Sequence, residues 1–230
     1  MQKFINLFSE YAGTAYVRQN AFANYLGDRG WSLVLSEGDV KFGEDLSFPV
    51  QLIGSESEIN GSWMWAWANK ESNLPENLLK TSYLMKEYGE KHEITELIEP
   101  SYKLTEFNGF VISLLVSSLN GNKCMYRGPY DGGAIFFIVE NTPDFLNQNA
   151  RFEVIIGTMT QMIAGFELNH KIFVESFLSQ QGFKVNKRSN FINGIRDHEE
   201  IIIEFDELGR IKDINGKSEQ QQKKPWWKVW

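Results

Sequence analysis

Gly61-Ser62-Trp63-Met64-Trp65-Ala66-Trp67-Ala68-Asn69 places three tryptophans on alternate positions. A period of two is the period of a β-strand, so Trp63, Trp65 and Trp67 are expected on one face. Ser62, Met64, Ala66 and Ala68, small or pliable, fall on the other. The fold class depends on what lies on either side of this run. Upstream, the period of two continues through Trp31–Leu35, Val40–Phe42 and Phe48–Ser55, with the turn Glu37-Gly38-Asp39 between the first two. Short connections of this kind favour an antiparallel meander. Downstream, Asn73-Leu74-Pro75-Glu76 reads as a helix start, and Gly89 as its stop.

The rest of the chain alternates in the same way. Phe4, Leu7, Phe8, Tyr11 and Ala15 recur at helical spacing and run to a cap at Gly27. Thr95–Glu99 adds a turn. Phe107, Phe110, Val111, Leu114, Leu115 and Ser118 form the clearest helical stripe, with Thr105 as the expected cap and Gly109 permitting a close approach. Lys123–Tyr126 and Ala134–Glu140 read as strands around the turn Arg127-Gly128-Pro129-Tyr130-Asp131-Gly132-Gly133. Two helices follow, over Asn149–Phe166 and after Asn169, and then four strands to Ile214. The predicted fold is α+β, antiparallel β-meanders covered by helices, in the order α-ββββ-αα-ββ-αα-ββββ. No linker is visible inside residues 1–216, which are read as one composite domain. Residues 217–230 form a Lys/Trp-rich tail.

Composition narrows the functional classes. Of 230 residues, 42% are hydrophobic and 14% aromatic, which fits a folded, ring-rich core. The net charge of −7 argues against nucleic acid as a partner, because phosphate binding needs a basic surface. Cys124 stands alone, so a cysteine-based metal site is excluded and a buried thiol is expected. His92, His170 and His198 lack metal-ligand spacing, and no nucleophile elbow occurs. No cofactor is expected. Met1-Gln2-Lys3-Phe4 runs into an amphipathic pattern rather than an apolar signal core, which sets the expectation of a cytoplasmic protein.

Three features could carry function. The indoles of Trp63, Trp65 and Trp67 could form a stacking platform at about 7 Å spacing, with Asn69 orienting a ligand; burial beneath a helix is the competing role and takes precedence. The Arg127–Gly133 turn could present Arg127, Tyr130 and Asp131 to a ligand, or be a tight hairpin braced by an Arg127–Asp131 pair. Glu56 and Glu58, alternate on a strand, are expected on a solvated face. The tail carries Trp226, Trp227 and Trp230 among lysines, a composition suited to docking in a groove or at a membrane surface.

Taken together, Gln51-Leu52-Ile53-Gly54-Ser55, the tryptophan run, Tyr126–Gly133 and Phe205-Asp206-Glu207-Leu208-Gly209-Arg210 resemble an uncharacterised bacterial domain family over residues 4–216. The resemblance implies a bacterial, cytosolic protein and no particular activity or catalytic residue. The leading expectation is a non-enzymatic module that binds a protein or peptide, of immunity or regulatory type. The alternatives are a small-ligand-binding or hydrolase-like enzyme near the Arg127–Gly133 turn, and a membrane-surface protein tethered by its tail.

Overall fold

The computed structural model describes residues 1–104 and 107–218. The chain's internal contacts separate it into two compact units, Met1–Gln148 and Asn149–Trp230, where the sequence reading drew no boundary inside 1–216.

In the first unit, helix α1 (Gln2–Leu26) precedes β1 (Trp31–Val34), β2 (Asp39–Phe42), β3 (Leu46–Ser57) and β4 (Ser62–Trp65). Each strand pairs antiparallel with the next, as the short turns require. Gly27 ends α1 at φ 59, a conformation that favours glycine. Helices α2 (Lys80–His92) and α3 (Thr95–Ile98) follow, then a short β5 (Ser101–Lys103) that pairs with β4. Strand β5 is absent from the expected order, because its three residues are too few to show a period. Helix α4 (Gly109–Leu119) leads to β6 (Cys124–Tyr130) and β7 (Gly133–Val139). Strand β7 returns to pair along β3, so the sheet has seven strands and is not a simple meander.

Two start signals moved. A 3-10 turn over Glu76–Leu78 absorbs the proline start, and α2 begins only at Lys80. Asn108 caps α4, its side chain accepting from the Val111 N–H; the expected cap, Thr105, lies outside the described residues. Helix α4 is buried almost all round, from Val111 to Ser118, because it crosses the sheet face with α1 beside it. Gly109 makes this possible. A Cβ there would come 2.6 Å from the Phe136 ring and 2.8 Å from that of Trp63.

In the second unit, α5 (Phe152–Gly165) and α6 (His170–Gln180) precede the four strands β8 (Lys184–Lys187), β9 (Phe191–Arg196), β10 (Glu199–Phe205) and β11 (Ile211–Ser218). These form one antiparallel sheet in chain order. Asn169 caps α6 as expected. Ile201 pairs with Gly194 on one side and Gly216 on the other. A Cβ on Gly194 would lie 3.0 Å from Leu178, and one on Gly216 2.9 Å from Phe152, so the two glycines are the seats on which α6 and α5 rest. Among the described residues no helix is long and apolar enough to cross a membrane.

Candidate functional site

The tryptophan strand stops one residue pair early. Trp63 and Trp65 are in β4, but Ala66–Ala68 turn into a 3-10 helix, so Trp67 leaves the row and no three-indole face exists. Trp63 and Trp65 are fully buried, edge to face with centroids 5.5 Å apart at 89°. Trp63 also packs on Phe136. Trp65 Nε1 donates to the Glu96 carbonyl at 3.2 Å. The Nε1 groups of Trp63 and Trp67 have no partner among the described residues. Lys86 covers the Trp67 ring, its Nζ 4.5 Å from the centroid. Two of the candidate platform indoles are therefore core, for the reason the sequence already suggested: a helix lies over that face.

Ladder pairing sorts the remaining candidates by face. Partners across a ladder point the same way, so Arg127, Phe136, Gly54 and Trp65 share the covered face. Tyr130, Gly133, Ser55, Ile135 and Met64 share the other. The seven-residue turn is in fact a tight hairpin: β6 runs through Tyr130, and only Asp131-Gly132 turns the chain, with Gly132 at φ 82. The expected Arg127–Asp131 brace is replaced by an Arg127–Glu58 pair at 3.1 Å, with Glu56 at 4.0 Å from Arg127 Nε. Glu56 does not lie on a solvated face. It is buried, and its carboxylate accepts from the Gly109 N–H at the start of α4, where the helix dipole favours a negative charge. Tyr102, opposite Trp63, is held far above the ordinary tyrosine range by burial and by the nearby charges of Glu96 and Glu56. Cys124 is buried, and burial raises its pKa.

On the second face the structure brings Asn69 and Tyr130 together. They line a cleft of about 260 Å³ with Leu35, Ser55, Leu74 and Ile135, while Leu52, Gly54, Ala66 and Ser72 complete it. Asn69 is fixed by its own loop, its Oδ1 accepting from the Ser72 N–H at 3.2 Å. The Tyr130 ring lies back over Gly133, where a Cβ would sit 3.0 Å from its hydroxyl. Tyr130 is 52% exposed and forms one wall. No Asp, Glu, His, Lys, Arg or Cys lines the cleft. Ser55, Ser72, Leu35 and Leu74 carried no signal of a shared site in the sequence, because they come from separate elements and have no mutual spacing.

The second unit has an open hollow of about 530 Å³ bordered by Asn149, Arg151, Arg196, Asp197 and His198. Its best-placed cation is already engaged. Arg196 donates to the carbonyls of Gln181 (2.8 Å) and Ala150 (2.9 Å) and to Glu199 (2.8 Å), and stacks on Phe183. The Asp206–Arg210 loop is likewise self-contained: Asp206 accepts from the Leu208 and Arg210 N–H groups and from the Arg210 side chain. Among the described residues no group of three or more His, Cys, Asp or Glu side chains converges as a metal site. The tail indoles Trp226, Trp227 and Trp230 lie outside the described residues.

Comparison with curated proteins and with solved structures finds no match. A protein family does match, over residues 5–142. That stretch holds the tryptophan strand, the hairpin and every residue of the cleft; the Phe205–Arg210 motif lies beyond it. The chain belongs to DUF6882, a family of unknown function.

Proposed function

We propose that this chain is a bacterial, cytoplasmic binding module, not an enzyme, which captures a segment of a protein or peptide at the Asn69–Tyr130 cleft. One observation carries the reading: the cleft of about 260 Å³ on the second sheet face is lined wholly by uncharged side chains. Nucleophilic or acid–base chemistry at the Tyr130, Ser55 or Ser72 hydroxyls would need an adjacent group to activate them, and no His, Lys, Asp or Glu lines the cleft. Binding needs only shape, apolar contact and a few neutral hydrogen-bonding groups. Arg127 and Tyr130, which with Asp131 are the three turn residues on which the enzyme alternative draws, stand on opposite faces of the sheet.

The test is selection from a random peptide library on the full chain, with counter-selection on Ser55→Trp, which fills the cleft. Retained peptides that lose binding to Ser55→Trp and to Tyr130→Ala, while both variants keep the parent unfolding transition, support the proposal. A library that yields no peptide sensitive to the cleft overturns it.

A further inference from the structure

The charge of this chain is unevenly divided. Residues 1–148 hold eleven Lys and Arg against nineteen Asp and Glu, a net −8, whereas residues 149–230 hold twelve against eleven, a net +1. The acidic excess reaches the cleft. Glu37 follows Leu35 by two residues, Lys70 and Glu71 lie between Asn69 and Ser72, Glu76 follows Leu74 by two, and Asp131 follows Tyr130; all are exposed, four carboxylates against one lysine. Glu37 has a cation partner in Lys41, 3.6 Å away. Inside the cleft there is no charge. A neutral hollow set in an acidic surface selects for two properties at once.

The first is the group that enters. Burying an unpaired charge against Leu52, Leu74 and Ile135 would cost several kcal/mol, so the entering group is uncharged. Its size follows from the volume. A dry cavity of about 150 Å³ admits a benzene ring, and drug-sized ligands use about 300–1,000 Å³. A cleft of about 260 Å³ therefore holds one ring or one branched aliphatic side chain, not an extended molecule. The hydroxyls of Tyr130, Ser55 and Ser72 stand at its wall to meet the polar backbone beside that group. The second property is the flank. Exposed carboxylates steer and hold cations, so the residues on either side of the anchor are basic.

Resting on the binding reading above, we infer that the cleft is the anchor pocket for a basic protein segment, which inserts one uncharged aromatic or branched aliphatic side chain between Tyr130 and Leu74 and keeps its Lys or Arg residues over the acidic surroundings. Exposed apolar side chains on the same side of the sheet, Met64 in β4 and Leu35 at the cleft itself, extend the contact beyond the anchor.

The test starts from the peptides the full chain retains. Each is resynthesised with a fluorophore in three forms: parent, anchor residue replaced by Asp, and Lys/Arg replaced by Glu. The expected result is at least about a tenfold loss of affinity for both altered forms, a steep weakening of the parent with added salt, and a similar loss on Ser55→Trp and on Tyr130→Ala. Retained peptides that need the cleft but keep full affinity with glutamates would overturn the basic partner and leave the binding reading standing. If no peptide depends on the cleft, both fall together. A third arm uses the chain shortened to residues 1–218. Unchanged affinity supports a separate partner. A gain of about tenfold or more would show that the chain's own Lys/Trp-rich tail competes for the pocket, and would overturn the inference.

Discussion

Gly54 stands opposite Trp65 in the β3–β4 ladder, and its missing side chain is the space into which Trp63 fits: a Cβ there would come 2.4 Å from the indole Cζ2 and 2.5 Å from the Met64 carbonyl oxygen. One contact is with a fully buried ring and the other with backbone, so neither can move aside. Gly54→Ala should therefore cost about 3 kcal/mol, at the upper end of overpacking penalties. The check is urea unfolding of the first unit's transition; a change below about 1 kcal/mol would mean the sheet relaxes there.

Gly109→Ala offers a sharper contrast. By helix propensity the change should stabilise α4 by up to about 1 kcal/mol. The Phe136 and Trp63 rings occupy the space a methyl would need, at 2.6 and 2.8 Å. We expect net destabilisation, visible as a lower melting temperature. Stabilisation would show that α4 slides without loss.

Arg196 holds the start of α5 and the end of α6 to the β9–β10 hairpin through the Ala150 and Gln181 carbonyls. Its planar fork makes these bonds in fixed directions, which an ammonium cannot reproduce. Arg196→Ala should cost about 2–4 kcal/mol, since it leaves part-buried acceptors unpaired and removes the ring contact with Phe183. Arg196→Lys should recover less than half of that in chemical denaturation.

His170 gives the second unit a pH dependence. Its Nδ1 accepts from the Ile211 N–H at 3.0 Å, tying α6 to β11. Burial lowers its pKa, and the positive charge of Arg210 acts in the same direction, opposed by Asp206. A histidine with a lowered folded pKa binds fewer protons folded than unfolded. Its contribution is complete above the unfolded value of about 6.5 and is lost as pH falls below it. Unfolding free energies at pH 7.5 and 5.5 should show this loss, and His170→Gln should flatten the slope between them.

Much of the local structure was legible in the chain. The meander of β1–β4 follows from alternation and short glycine-bearing turns, and α1, α5 and α6 from apolar spacing and capping residues. These are near-neighbour properties, set by backbone sterics and by which side chains share a face. Membership in DUF6882 likewise comes from sequence, since it rests on residues 5–142 alone.

Tertiary structure decided what the same residues do. Alternation could place Trp63 and Trp65 on one face, but only the crossing of α4 made that face core. It could not foresee that the chain coils at Ala66 and removes Trp67 from the row. Glu56 looked like a surface carboxylate until the Gly109 N–H arrived from fifty-three residues away. The cleft is the extreme case. Its walls come from β1's end, β3, the loop after β4, and the β6–β7 hairpin, and they meet because β7, paired with β6 on one side, pairs along β3 on the other. Long-range strand pairing leaves no local periodicity, so the sequence alone determined most of the elements, and the return of β7 along β3 determined the site.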